Sequence, residues 1–216
     1  YKASKDKIEK SFEGKNAKIM FEIFRGISST GEIQRMQKIV QDNNIDIVAA
    51  IGGGSAIDTA KATAYYEKLP VVIMPTVVAT DAPCTGLSVI YNDDGTFSNY
   101  IFYPKNPDAV SVDTSMIVKA PARFLVAGMG DALGTYFEAR ACVKSNAPSL
   151  ENGGITKSAM ALCSLCYNTL LEDGYLAKLS VEKGLLTPAV ENIIEANTYL
   201  SGVGADNGRL AVAHSV

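Results

Sequence analysis

Tryptophan is absent from the 216 residues, histidine occurs once and cysteine four times. Four scattered cysteines exclude a disulfide-framed scaffold, which packs many cysteines into a short chain. A zinc ribbon has no support, because Cys163-x-x-Cys166 lacks the second CxxC that would complete four ligands. Two core residues one helical turn apart is the better reading of that pair. No apolar run reaches the ~18 residues of a membrane span, and no basic-then-apolar leader opens the sequence. A cytoplasmic protein with no membrane partner is the expectation. Charge of neither sign dominates: Lys and Arg number 20 and Asp and Glu 23, for a net charge of −3. Without a basic patch or an aromatic-plus-basic stripe, nucleic acid is not an expected partner.

What is present is the balance of a folded protein, 47% hydrophobic and 20% charged, so disorder is excluded as the main state. Residues 2–12 read as a charged helix and 17–24 as a strand. Ile33, Met36, Ile39 and Val40 recur at helical spacing within 32–43. The nearly apolar runs 45–51 and 69–74 suit parallel strands covered on both faces. Between them lies a helix over 55–66, and this alternation marks an α/β layer. Residues 87–91 and 96–103 flank Asn92-Asp93-Asp94-Gly95, a hairpin signal. A further short strand is expected at 108–112. From there the pattern turns helical, with segments 121–144, 154–171, 176–183 and 187–202. The expected fold is an α/β N-terminal nucleotide-binding domain, a parallel sheet plus a hairpin, over 1–118. An all-helical C-terminal domain over 119–216 follows.

Three segments carry chemistry. The first is Gly52-Gly53-Gly54-Ser55, between a strand and a helix. Glycines let a phosphate approach backbone N–H groups that a Cβ would shield, and a helix N-terminus adds unpaired N–H groups and a positive dipole end. Ser55 is the expected N-cap, with Ser55-Ala56-Ile57-Asp58 as a capping box. The loop is neither GxGxxG nor a Walker loop, so it says phosphate and no more; a plain tight turn is the alternative. The second is Pro75-Thr76-Val77-Val78-Ala79-Thr80-Asp81-Ala82-Pro83, which also leaves a strand at its carboxyl end, where ligands of open α/β sheets collect. Asp81 either meets a ligand or caps the turn at Pro83. The third is Gly128-Met129-Gly130-Asp131-Ala132-Leu133-Gly134, glycine-rich within a helical pattern. Each glycine there costs up to ~1 kcal/mol relative to Ala, which suggests close packing on that face. Asp131 is a candidate metal or catalytic carboxylate, or an exposed Asp. His214 alone carries little.

Together these pieces resemble the glycerol dehydrogenase branch of the iron-containing (group III) alcohol dehydrogenases. The matching stretches are IGGGSAIDTAK at 51–61, PTVVATDAP at 75–83, LSVIY at 87–91, GMGDALGTYFEAR at 128–140 and EANTYLSGVG at 195–204. The resemblance implies a cleft between a nucleotide-binding domain and a helical domain. It assigns Gly53, Gly54, Ser55 and Asp58 to the pyrophosphate of NAD. Thr76, Ala79, Thr85, Leu87 and Tyr91 fall along the rest of the cofactor path. Asp81 becomes a substrate contact in the catalytic set, and Asp131 and His214 become ligands of one divalent metal, zinc in this branch. The implied reaction is NAD-dependent oxidation of glycerol to dihydroxyacetone, in a homo-oligomer.

The resemblance also implies a third ligand, a histidine downstream of His214, and a first strand–helix unit before residue 1. The chain is therefore expected to be the middle of a longer protein, and alone a catalytically incomplete nucleotide-binding fragment. Asn207-Gly208-Arg209 replaces a small, Gly-rich run of the family, and Arg209 is expected to disturb the approach to the metal. Glycerol-1-phosphate dehydrogenase and dehydroquinate synthase belong to the same superfamily but handle phosphorylated substrates. Near Asp131 the sequence offers only Arg123 and Arg140, with no basic cluster, which weighs against both.

Overall fold

The computed structural model describes residues 2–150 and 152–211. Helices α1 (Lys2–Ser11) and α2 (Thr30–Asp42) precede strand β1 (Val48–Gly52), helix α3 (Gly54–Glu67) and strand β2 (Val71–Pro75). Strands β3 (Leu87–Tyr91) and β4 (Phe97–Phe102) form the hairpin, and β5 (Ala109–Val110) is shorter than expected. A one-turn helix α4 (Thr114–Ile117) leads into α5 (Ala122–Ser145), α6 (Lys157–Glu182) and α7 (Pro188–Glu195). A π-helical turn at Ala196–Leu200 joins α7 to α8 (Ser201–Gly208) without a break.

The sheet is parallel, in the order β1-β2-β5, and the hairpin is a separate antiparallel pair. The register sets Gly52 of β1 beside Pro75 of β2. Both loops singled out by sequence therefore leave the sheet side by side. The Thr76 N–H donates to the Gly52 carbonyl at 3.0 Å and fastens them together. Ile57 and Ala64 of α3 bury against Ala50, Val71 and Ile73 of the sheet. A separate apolar cluster holds the helices, with Leu125 of α5, Leu170 of α6, and Val190 and Ile193 of α7 at its centre.

Three local expectations are corrected. Residues 17–24 are not a strand, because among the described residues no strand lies alongside to complete a ladder. Arg35 tethers this stretch instead, donating to the Ile23 carbonyl at 2.9 Å and to Glu22 and Glu32. Segments 154–171 and 176–183 are one helix, α6, which runs through Gly174. A Cβ at Gly174 would lie 3.2 Å from Met129 Sδ, so the glycine serves close packing of α6 on α5 rather than a break. The last helical segment continues past residue 202 to Gly208.

Candidate active site between the sheet edge and the helices

The turn from β1 into α3 is built otherwise than its motif suggests. Gly53, not Ser55, is the N-cap of α3, and no side chain caps the helix start. Ser55 lies exposed within the first turn. Asp58 is no capping-box partner either. It is buried, pairs with Lys61 Nζ at 3.1 Å, and accepts the Val89 N–H at 3.2 Å. The glycines also answer to the protein's own packing. A Cβ on Gly52 would lie 2.8 Å from the Ala56 Cβ, one on Gly53 3.2 Å from Val77 Cγ2, and one on Gly54 3.2 Å from Thr80 Oγ1. α3 thus sits closely on the loop that follows β2.

Beside this turn opens a cavity of about 740 Å³. Gly53, Gly54, Ser55 and Ala79 line it together with apolar side chains such as Met36, Ile39 and Phe124. The uncapped N–H groups of the first turn of α3 give this largely apolar space, which Glu22, Thr59 and Thr63 also line, an anion-accepting end. The chemistry suits a dinucleotide, with phosphates at the helix start and apolar walls for flat rings.

Other sequence candidates lie elsewhere. Asp58, Thr85 and Leu87 surround the Lys61 ammonium, which donates to the Ala82 carbonyl at 2.9 Å and to the Thr85 carbonyl and hydroxyl at 3.3 Å each. It also donates to the Leu87 carbonyl. Tyr91 pairs with Ser28 and Ser29 at the end of β3. Thr76 is occupied through its amide with Gly52. Lys61 was not among the sequence candidates. Its one signal was an i,i+3 spacing from Asp58, and nothing in the sequence told a buried lysine from a solvated one.

The loop after β2 meets the helices at Asp81 and Asp131. The Asp81 N–H donates to Asp131 Oδ2 at 3.1 Å, and Ser201 Oγ of α8 donates to Asp81 Oδ2 at 2.9 Å. Ser201 also exchanges a hydrogen bond with Thr135 at 2.9 Å. The Asp81 side chain therefore reaches α8 and does not cap the Pro83 turn; its backbone carbonyl takes the Cys84 N–H at 3.0 Å. Asn197, in the π-turn, is fully buried and donates to the Val78 and Leu125 carbonyls at 3.1 and 2.9 Å. Gly128 makes this approach sterically feasible, since a Cβ there would fall 2.0 Å from the Val78 oxygen. A Cβ on Gly130 would meet nothing within 4 Å, so the close-packing expectation holds at Gly128 and not at Gly130.

Cys163 and Cys166 are core residues, both fully buried. Burial lifts the Cys163 thiol to about 11. Burial, with Cys163, Asp81 and Asp131 nearby, lifts that of Cys166 to about 12. No further His, Cys, Asp or Glu among the described residues joins them in a group of three or more that could hold a metal. Arg209, with φ at +65°, donates to the Pro148 carbonyl at 3.0 Å. Arg123 and Arg140 are exposed and lie over aromatic rings of α5.

His214 lies outside the described residues. Among the described residues no group of three or more His, Cys, Asp or Glu side chains is arranged to hold a metal ion. Asp131 alone of the expected ligands is placed, with one oxygen on the Asp81 amide. By themselves these residues do not make up a metal site. Among the described residues no helix is long and apolar enough to cross a membrane.

A parallel layer with a glycine turn at its carboxyl edge, closed over by helices bearing a carboxylate, defines an α/β-plus-helical protein with an anion-accepting turn. The description of the iron-containing alcohol dehydrogenases matches residues 2–114, just over half of the chain, and the chain belongs to that family. It is 52% identical over 211 residues to a glycerol dehydrogenase of Escherichia coli O6:H1, covering 97% of this chain and 57% of that protein. It is 51% identical over 218 residues to one of Thermotoga maritima, covering 98% and 60%. The crystal structure of glycerol dehydrogenase from Schizosaccharomyces pombe superposes with a TM-score of 0.92 at 38% identity, covering 97% of this chain and 53% of that one. The chain thus spans somewhat over half the length of the relatives it matches.

Proposed function

We propose that this chain is part of an NAD-dependent polyol dehydrogenase that interconverts glycerol and dihydroxyacetone. The observation that carries the reading is the junction of Asp81, Asp131 and Ser201, set on the loop beside the glycine turn. Identity of about half to glycerol dehydrogenases along nearly the whole chain supports it. The reading keeps the division at residues 118 and 119, a cytoplasmic location and a homo-oligomer.

The chemistry supplied from outside the chain is hydride acceptance by NAD and Lewis acidity from a divalent cation, for which zinc is our choice. The chain's own residues do the positioning. The start of α3, with Gly53 and Gly54, receives the pyrophosphate, and Ala79 lines the path beyond it. Asp81, oriented by Ser201, accepts a hydrogen bond from a polyol hydroxyl. Asp131 fixes the Asp81 backbone through its amide and presents its carboxylate to the same space. NAD held there would accept the hydride from the central carbon of glycerol, while Asp81 and Asp131 would hold the polyol as its hydroxyl proton is lost to solvent.

The test is reduction of dihydroxyacetone by NADH in the complete protein, stripped of metal and then reloaded with zinc or iron in separate samples. Turnover restored by zinc is the expected result. Restoration by iron alone moves the metal assignment, and no turnover with either metal refutes the polyol reading.

A further inference from the structure

Lys61 is 3% exposed, in the middle of α3. Around it stand the carbonyls of Ala82, Thr85 and Leu87, the Thr85 hydroxyl and an Asp58 carboxylate oxygen. An ammonium has three protons and no lone pair, so it satisfies a ring of acceptors that no neutral side chain of that length can. Three of those oxygens are backbone carbonyls of one irregular segment, 82–87. They converge on a point, and without a cation there they would repel one another in a buried space. The segment runs directly from Asp81 to the start of β3.

We propose that Lys61 is a positioning residue, an internal cation around which segment 82–87 folds and which thereby fixes Asp81 against Asp131 and Ser201. The lysine does the work that a bound monovalent cation does when carbonyl oxygens converge. Removing the side chain therefore leaves a cavity that a small ammonium ion fits. The consequence for the nucleotide and polyol rests on the function proposed above. The consequence for the segment does not.

The experiment compares Lys61→Ala with the unaltered protein by hydrogen exchange. Samples contain methylammonium chloride or tetramethylammonium chloride at equal ionic strength. Exchange at Cys84, Gly86 and Val89, whose amides bond to Asp81, Asp206 and Asp58, is expected to quicken by about tenfold or more in the variant. Amides of α6 should stay unchanged. Methylammonium should restore protection saturably and tetramethylammonium, too large for the space, should not. Unchanged exchange at these amides, or equal recovery in the two salts, overturns the proposal. NADH binding read on the same samples separates the two claims. Failure of the unaltered protein to bind NADH counts against the function and leaves the exchange result standing. Should Lys61→Ala not fold, nitrogen-15 lysine NMR on the unaltered protein decides. A slowly exchanging ammonium with cross-relaxation to residues 82–87 supports the proposal. Its absence refutes it.

Discussion

The two ends of the candidate site are built on opposite plans. At the junction of Asp81, Asp131, Asn197 and Ser201, side-chain hydrogen bonds of 2.9–3.1 Å leave little slack. At the start of α3 the opposite holds: no side chain caps the helix, and an apolar cavity of about 740 Å³ adjoins it. The comparison teaches where each kind of specificity resides. A reacting group needs fixed geometry, which the hydrogen-bonded junction gives. A large flat ligand needs area and a few unpaired N–H groups, which the open end gives.

The strongest way to break this comparison is to push the junction apart. Gly128→Ala places a Cβ 2.0 Å from the Val78 oxygen and 2.4 Å from Asn197 Nδ2. The variant is expected to lose about 3 kcal/mol of stability, at the upper end for overpacking. Urea unfolding measures this, and a loss too small to detect would mean the junction is loose. Asp131→Asn comes next. Asparagine can still accept the Asp81 N–H, so stability and NADH affinity should hold. Turnover should fall by about a hundredfold or more, at least what losing an outer partner of a metal ligand costs. Equal loss of NADH binding in a fluorescence titration would make Asp131 structural.

A smaller effect tests whether the core behind the junction is dry. Thiols ordinarily ionise near 9.0, whereas burial holds Cys163 near 11 and Cys166 near 12 in the folded chain. Below pH 9 both states keep the proton and the thiols' contribution is fully present. As pH rises from there toward the folded values, only the unfolded chain gives protons up, and stability falls. The slope is expected to be about 1.4 kcal/mol per pH unit per thiol. Urea midpoints for the parent and Cys166→Ala across that window should differ in slope, and identical slopes would place water at Cys166. The smallest effect is Gly130→Ala, two residues from Gly128 but facing open space. It should stabilise α5 by about 0.5–1 kcal/mol, checked in the same urea series. Destabilisation instead would show that something seats on that face.

Much of this was readable in the sequence where pattern and position coincide. The parallel strands, the glycine turn and the hairpin at Asp94-Gly95 follow from periodicity and motif, whereas a shared site for Asp81 and Asp131 was implied only by the family resemblance. What was hidden depends on contacts between distant residues. Gly174 looks like a break until Met129 is beside it. Ser55 and Asp58 satisfy the local rule for a capping box, but the Val89 N–H, 31 positions away, takes Asp58 inward beside Lys61. Residues 17–24 have strand composition without a neighbouring strand among the described residues. Lys61 shows the same limit most plainly: an ordinary helix residue by propensity, its meaning lies in oxygens 21 to 26 positions away.

The measurement that tests the central claim most directly follows the hydride. The complete protein is incubated with dihydroxyacetone and NADH carrying deuterium at the transferable position of the nicotinamide. Glycerol with one deuterium on its central carbon, formed in step with NAD, is the predicted product by mass spectrometry. NADH that binds at the glycine turn but leaves the glycerol unlabelled would contradict the account.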